Sequence, residues 1–257
     1  MGERVESTQT DIIDIAPPSA SEVTNLELAM GAGTLTINPG AQDRLVQGSI
    51  TYNVPELKPL ITTHDNTVRI EQEKSGYVAI RNNVKNDWDL LLGSYPLSLK
   101  LSIGAAKVRL ELGGLALASL SVDQGATDFA LTLSQQNLIK LDTLRFHAGA
   151  AKSVLRGLGH LNARKLDFNG GAGVLSLDFA GALSQDLAVS INAAAGNVVV
   201  AVPRGVPADA SLVGVMTTVS TSGTWTHAHQ RYQTPGDGAR ITFDLKMSVG
   251  KLELRSL

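Results

Sequence analysis

Between residues 99 and 203 apolar and polar positions alternate in a phrase that is stated five times. Leu99, Leu101 and Ile103 alternate with polar residues, Gly104-Ala-Ala-Lys107 interrupts, and the alternation resumes at Val108, Leu110 and Leu112. A period of two gives a strand with one buried and one wet face. The apolar parity switches across the four-residue interruption, so the chain turns a corner there and keeps its apolar face inward. The phrase returns at residues 120–133, 166–179 and 189–202, and more weakly at 144–157. The first small residue of each bend is Gly104, Gly125, Gly149, Gly171 or Ala194, at spacings of 21, 24, 22 and 23 residues. A period of that size belongs to repeat architectures.

The residue after each anchor is Ala105, Ala126, Ala150, Ala172 or Ala195. If the repeats stack in register, these alanines form one column, and their small size predicts a narrow interior there. Lys107, Asp128 and Lys152 follow at one position in consecutive repeats. Opposite charges on stacked neighbours contribute roughly 0.2–1 kcal/mol per pair. Both features point to a solenoid, in which each coil packs on the one before. A meander of antiparallel hairpins has the same alternation and is the structural alternative.

Residues 1–22 are polar and acidic, with Pro17-Pro18, and read as a tether or loosely attached segment with a short strand near Ile12 to Ile15. Residues 23–98 hold a first statement of the phrase, anchored at Gly31, and then an insertion. Strand-like runs at 45–54, 57–63, 67–73 and 77–82 predict an antiparallel flap closing the N-terminal end of the stack, with Trp88 as a plug. Residues 99–203 are the central array. Residues 204–257 contain strand candidates at 210–219, 224–232 and 239–249, then a last phrase anchored at Ser248. They read as C-terminal capping strands and a final repeat. No stretch has sustained helical periodicity. The expected fold is all-β, a stacked β-solenoid of 21–24-residue repeats with antiparallel flaps at its ends, and residues 23–257 form one structural unit.

Composition narrows the picture. Aromatic residues make up 4% of the 257 and there are 25 glycines, which suits a thin core of Leu, Val, Ile and Ala. The net charge is −2 with no basic block, so nucleic acid is set aside as a partner. The absence of cysteine excludes disulfides and thiolate metal sites. No window approaches the ~18 apolar residues of a membrane span, and residues 1–23 lack the apolar run of a signal peptide. Any membrane attachment is therefore expected through an anchor outside this sequence.

Candidate chemistry is sparse. His227 and His229 would lie on one face of a strand, a spacing that can bind a metal ion, with Asp237 as a conceivable third ligand. The plainer reading is an exposed strand with two ordinary histidines, and no metal or cofactor is expected. Asp87 and Asp89 flank Trp88 as sugar-cleaving carboxylates can, yet alternation puts both on the wet face. Gly170-Gly-Ala-Gly173 lacks the Gly-Lys-Ser/Thr ending of a phosphate loop and reads as a corner. The repeat acids Asp123, Asp142, Asp167 and Asp178 fall at different positions in the phrase, so no nucleophile, base and orienting partner can be assembled. No catalytic residue is assigned.

Met30-Gly-Ala-Gly-Thr-Leu-Thr-Ile37, the later Gly-Ala phrases, Tyr52-Asn-Val-Pro55 with Lys58-Pro59, Asn86-Asp-Trp-Asp89 and Val249-Gly-Lys-Leu-Glu-Leu254 together resemble bacterial toast-rack domain proteins, relatives of LiaF-like cell-wall stress-response proteins. The resemblance covers nearly all of residues 23–257. It implies a stacked β-solenoid attached to the cell envelope, and it brings no catalytic residues with it. The expected function is thus a non-catalytic extracytoplasmic module that binds a protein or envelope component, in cell-envelope stress response. An adhesin-like, self-assembling solenoid with homo-oligomeric contacts is the alternative, and a carbohydrate-active enzyme is a more distant one.

Overall fold

A computed structural model describes residues 7–17, 22–72, 83–229 and 231–257. In chain order the strands are β1 (Gln9–Ile15), β2 (Thr24–Pro39), β3 (Val46–Tyr52), β4 (Pro59–His64), β5 (Thr67–Gln72), β6 (Asn86–Leu92), β7 (Leu97–Glu111) and β8 (Leu117–Gln124). They continue with β9 (Asp128–Thr132), β10 (Thr143–Arg156), β11 (Lys165–Asp178), β12 (Leu187–Val202), β13 (Ala208–Ser222), β14 (Thr226–Ala228), β15 (Arg231–Thr234) and β16 (Ile241–Ser256). Two single turns of 3₁₀ helix, Pro55–Leu57 and Leu158–Leu161, interrupt the connections.

The ladders are parallel through the centre, which settles the choice between solenoid and meander. β2, β7, β8 with β9, β10, β11 and β12 stack in chain order, each hydrogen-bonded to the next. The anchors fall in register: Ala148 pairs with Gly170 and Ala150 with Ala172, which sets Gly149 beside Gly171. Each coil has a first limb, a bend, a second limb and an irregular return. Leu99, Leu101 and Ile103 from one limb of β7 and Val108 and Leu110 from the other are all buried in one core. Phe129, Phe146 and Phe168 continue that core along the stack, with ring centroids 5.2 and 5.9 Å apart.

The alanine column is real but faces the other way. Ala105, Ala126, Ala150, Ala172 and Ala195 are exposed. The tight position is one residue later, where the second limb begins. There Gly173, Gly196 and Gly250 have φ of +131°, +127° and +139°. A Cβ on Gly196 would lie 2.0 Å from the Gly173 carbonyl oxygen, and one on Gly250 would lie 1.9 Å from that of Gly196. Parity explains the correction. The bend spends one residue pointing outward, and the close approach falls at the glycine after it, against the backbone carbonyl of the neighbouring coil, in a conformation that strains other residues.

Antiparallel strands lie at both ends as expected, and beneath them each end holds a further coil. The insertion after β2 supplies a further coil: β5 pairs parallel with the first limb of β2 and β6 with the second. Antiparallel strands then cover its outer side, β4 on β5, β3 on β6 and β1 on β3. Trp88 in β6 is buried, and its indole N–H donates to Asn86 Oδ1 at 3.0 Å. The short strand expected near residues 12–15 is β1, whose Ile13 joins the core. The strand expected at 77–82 lies outside the described residues. At the other end β13 is itself a coil, and the last phrase, β16, slots between β12 and β13, parallel to both. The chain therefore lays down its outermost coil before the penultimate one. The hairpin β14–β15 covers only residues 208–211 of β13.

Candidate functional surface

Because the coils are in register, outward side chains at one position of the phrase line up at the ~4.8 Å spacing of neighbouring strands. Just before the bend the row runs Asp123, His147, Asn169, Asn192, Lys246 and Val213 along β8, β10, β11, β12, β16 and β13. Asn192 Nδ2 donates to Asn169 Oδ1 at 3.0 Å, and His147 Nδ1 lies 3.5 Å from Asp123 Oδ1. Two open troughs of about 650 and 600 Å³ lie against this row. The larger is floored by Gly170, Ala193 and Met247, the smaller by Ile103, Gly104 and Gly149. Glycine and alanine at the corner leave the troughs open between the larger side chains of the row.

Past the bend a second row carries the charges read from the sequence. Lys107 and Lys152 both pair with Asp128 across the parallel ladder. The direct contact is with Arg109, whose guanidinium donates to Asp128 Oδ2 at 2.7 Å and to the Asp128 carbonyl at 2.8 Å. That hydrogen bond holds the Asp128 carboxyl below its ordinary range, with the Arg109, Lys152 and Lys107 charges adding to the effect. Glu253 is likewise lowered, and Arg255 raised, by their mutual hydrogen bond. These are exposed ion pairs, and their shifts come from partners in solvent rather than from a low-dielectric site.

Between the limbs the bend encloses about 30 Å³, room for no more than a water or two. A buried polar cluster sits in the same corner of the stack. Gln124 Nε2 donates to Ser153 Oγ at 2.7 Å, and Thr127 Oγ1 donates to Gln124 Oε1. All three residues are buried, so each hydrogen bond replaces water that the groups have lost.

The histidine pair does not share a strand face. β14 ends at Ala228, and His229 lies in the following turn with φ of +58°. His227 stacks on Tyr232 with ring centroids 5.3 Å apart, on an open surface lined also by His229, Arg231 and Gln233. Asp237 is tied instead to the loop at Gly205, whose carbonyl accepts its N–H at 3.3 Å. Among the described residues no three His, Asp or Glu side chains converge as a metal site. Asp89 is exposed and Asp87 half-buried on the face opposite Trp88, and Gly170–Gly173 forms a corner of β11.

The sequence reading missed the exposed apolar group at the end of the stack. Val213, Val215 and Met216 at the bend of β13 are 65%, 82% and 67% exposed, and Val249 of β16 is beside Met216. They resemble core positions by hydropathy alone. The available signal was the lack of charge from residue 210 to 226, the longest uncharged run after β12.

Residues 2–143 match the family model described as the N-terminal domain of toast_rack, DUF2154, a match that ends where β10 begins. Among curated proteins none matches the chain. Of solved structures, a candidate cell adhesion protein from Clostridium sporogenes is 21% identical with a TM-score of 0.53, covering 98% of this chain and 100% of that one. A candidate adhesin from Bacteroides fragilis is 13% identical with a TM-score of 0.37, covering 96% and 97%. A candidate lipid binding protein from Parabacteroides distasonis is 14% identical with a TM-score of 0.35, covering 96% of each chain. The first likeness bears on the fold alone.

Proposed function

The chain belongs to the toast-rack family, and from that membership we propose that it serves as a non-catalytic, extracytoplasmic module of a bacterial envelope protein. It binds a macromolecular partner, a protein or an envelope component, by surface complementarity along its bends. The observation that carries the binding half of this reading is the in-register polar row from Asp123 to Lys246 with the troughs beside it. It is a long, shallow, repetitive surface, suited to an extended partner. Small-molecule sites, by contrast, are concave and mostly enclosed. The row's titratable groups are Asp123 and His147, side by side, and Lys246 three coils away; no third group converges with the first two, whereas acid–base chemistry needs groups converging on one reacting atom. A role in sensing or relaying envelope stress fits the family and is part of the proposal.

The test is photocrosslinking in intact bacteria, with a photoreactive residue placed at Asn192 on the row and, as the control, at Ser184 on an exposed return. A discrete adduct from Asn192 and none from Ser184 supports the reading. Equal adducts from both positions, or none from either, would count against a partner on this face.

A further inference from the structure

An open sheet edge is normally protected by charge, proline, a bulge or short length. The outer strand at the N-terminal end, β1, carries Asp11 and Asp14 in seven residues. β4 starts at Pro59 and is six residues long. The C-terminal end has no such protection along its second limb. β15 covers residues 208–211 of β13, and no strand covers residues 212–222 among the described residues. That uncovered edge, Leu-Val-Gly-Val-Met-Thr-Thr-Val-Ser-Thr-Ser, has no charged residue and no proline. At its bend stand the exposed Val213, Val215 and Met216.

We propose that this edge is a dimerisation site, at which the second limb of β13 pairs antiparallel with the same limb of a second copy of the chain. The sequence of the limb itself suits a second copy of the same limb. Around Val219 the chain reads symmetrically: Thr218 and Ser220 on either side, then Thr217 and Thr221. A two-fold axis at Val219 makes an isologous interface. It sets Val219 across from Val219, Thr217 across from Thr221, and Thr218 across from Ser220. Hydroxyl pairs directly opposite one another are favourable cross-strand pairs. Ser220 Oγ is shielded from solvent and has no hydrogen-bond partner in the single chain. The hairpin β14–β15 lies on the other limb and leaves this one free. The two ends of the stack are unlike, one guarded by Asp11 and Asp14 and one bare, so the contact closes as a pair and does not propagate as a fibre. The inference concerns the solution assembly of the chain and is independent of its cellular location and of what binds the polar row.

Sedimentation equilibrium over a concentration series tests it, with charge pairs that read the register. In T218K/S220K each lysine faces a lysine of the second copy; in T218K/S220E each lysine faces a glutamate. The expected result is a monomer–dimer equilibrium for the natural chain. Association should weaken about tenfold or more in T218K/S220K, and T218K/S220E should recover it. Circular dichroism confirms that both variants fold. A natural chain that stays monomeric throughout would overturn the proposal. So would equal loss in both variants, which would mean that another strand or another face makes the contact.

Discussion

Gly196→Ala and Ala195→Leu are adjacent substitutions with opposite expected outcomes. Gly196 begins the second limb of β12 with φ of +127°, and a Cβ there would sit 2.0 Å from the Gly173 carbonyl oxygen. Ordinary van der Waals contact needs more than 3 Å, so the limb must retreat by about 1 Å, against a ladder hydrogen-bonded on both sides. A residue held in such a backbone region costs about 1–3 kcal/mol by itself. Weakened ladder bonds on either side add about 1 kcal/mol each. The sum is roughly 3–5 kcal/mol. At about 2–4 °C per kcal/mol for a chain of this size, the melting temperature should fall by roughly 6–20 °C. The Ala195 side chain points into solvent, so Ala195→Leu should stay within about 0.5 kcal/mol, or 2 °C. Thermal unfolding followed by circular dichroism separates the two. If Ala195→Leu proved the damaging change and Gly196→Ala the harmless one, the interior would run through the alanine column and the assignment of faces at the bend would be wrong.

Further expectations follow from single contacts. Gln124→Leu leaves the buried Thr127 and Ser153 hydroxyls without their shared partner, costing about 1–3 kcal/mol in chemical denaturation; adding Ser153→Ala should recover part of the loss. Phe146→Ala removes a ring packed between Phe129 and Phe168 and should cost about 3–5 kcal/mol. The Asp128 carboxyl is held low by Arg109, so its contribution to stability is present above the ordinary carboxylate pKa and fades as pH falls through the lowered one. Arg109→Ala should raise the Asp128 titration midpoint by NMR while stability at neutral pH moves by less than about 1 kcal/mol, because the pair is half exposed.

Much of the fold was legible because the phrase encodes it directly. Alternation named the limbs, small residues named the bends, and the anchors from Gly104 to Ala194 stack where their spacing put them. What period-two patterning cannot carry is which way a residue points inside a bend. Alternation alone therefore points the alanines inward and leaves the glycines one place later unmarked. Nor does it carry spatial order. β16 reads as the last repeat and is last in the chain, yet it lies inside β13, a placement fixed by pairing partners far apart in sequence. β13 itself went unrecognised as a coil because Val213, Val215 and Met216 replace the polar and small residues that mark the other bends. The polar row was invisible for a related reason: its members are single residues about 22 positions apart, and only stacking makes them neighbours. His227 and His229 illustrate the reverse, since an i, i+2 spacing has meaning only while the strand lasts, and β14 stops between them.

The central claim, an extracytoplasmic module presenting its bends to a partner, meets its most direct test in thiol labelling of living cells. The chain has no cysteine, so Ala172→Cys, on the exposed column of bends, would carry the single reactive thiol. With the outer barrier opened and the cytoplasmic membrane intact, a charged maleimide that cannot cross that membrane should label Ala172→Cys fully. Labelling that appears only after the cells are lysed would place the bends in the cytoplasm and contradict the account.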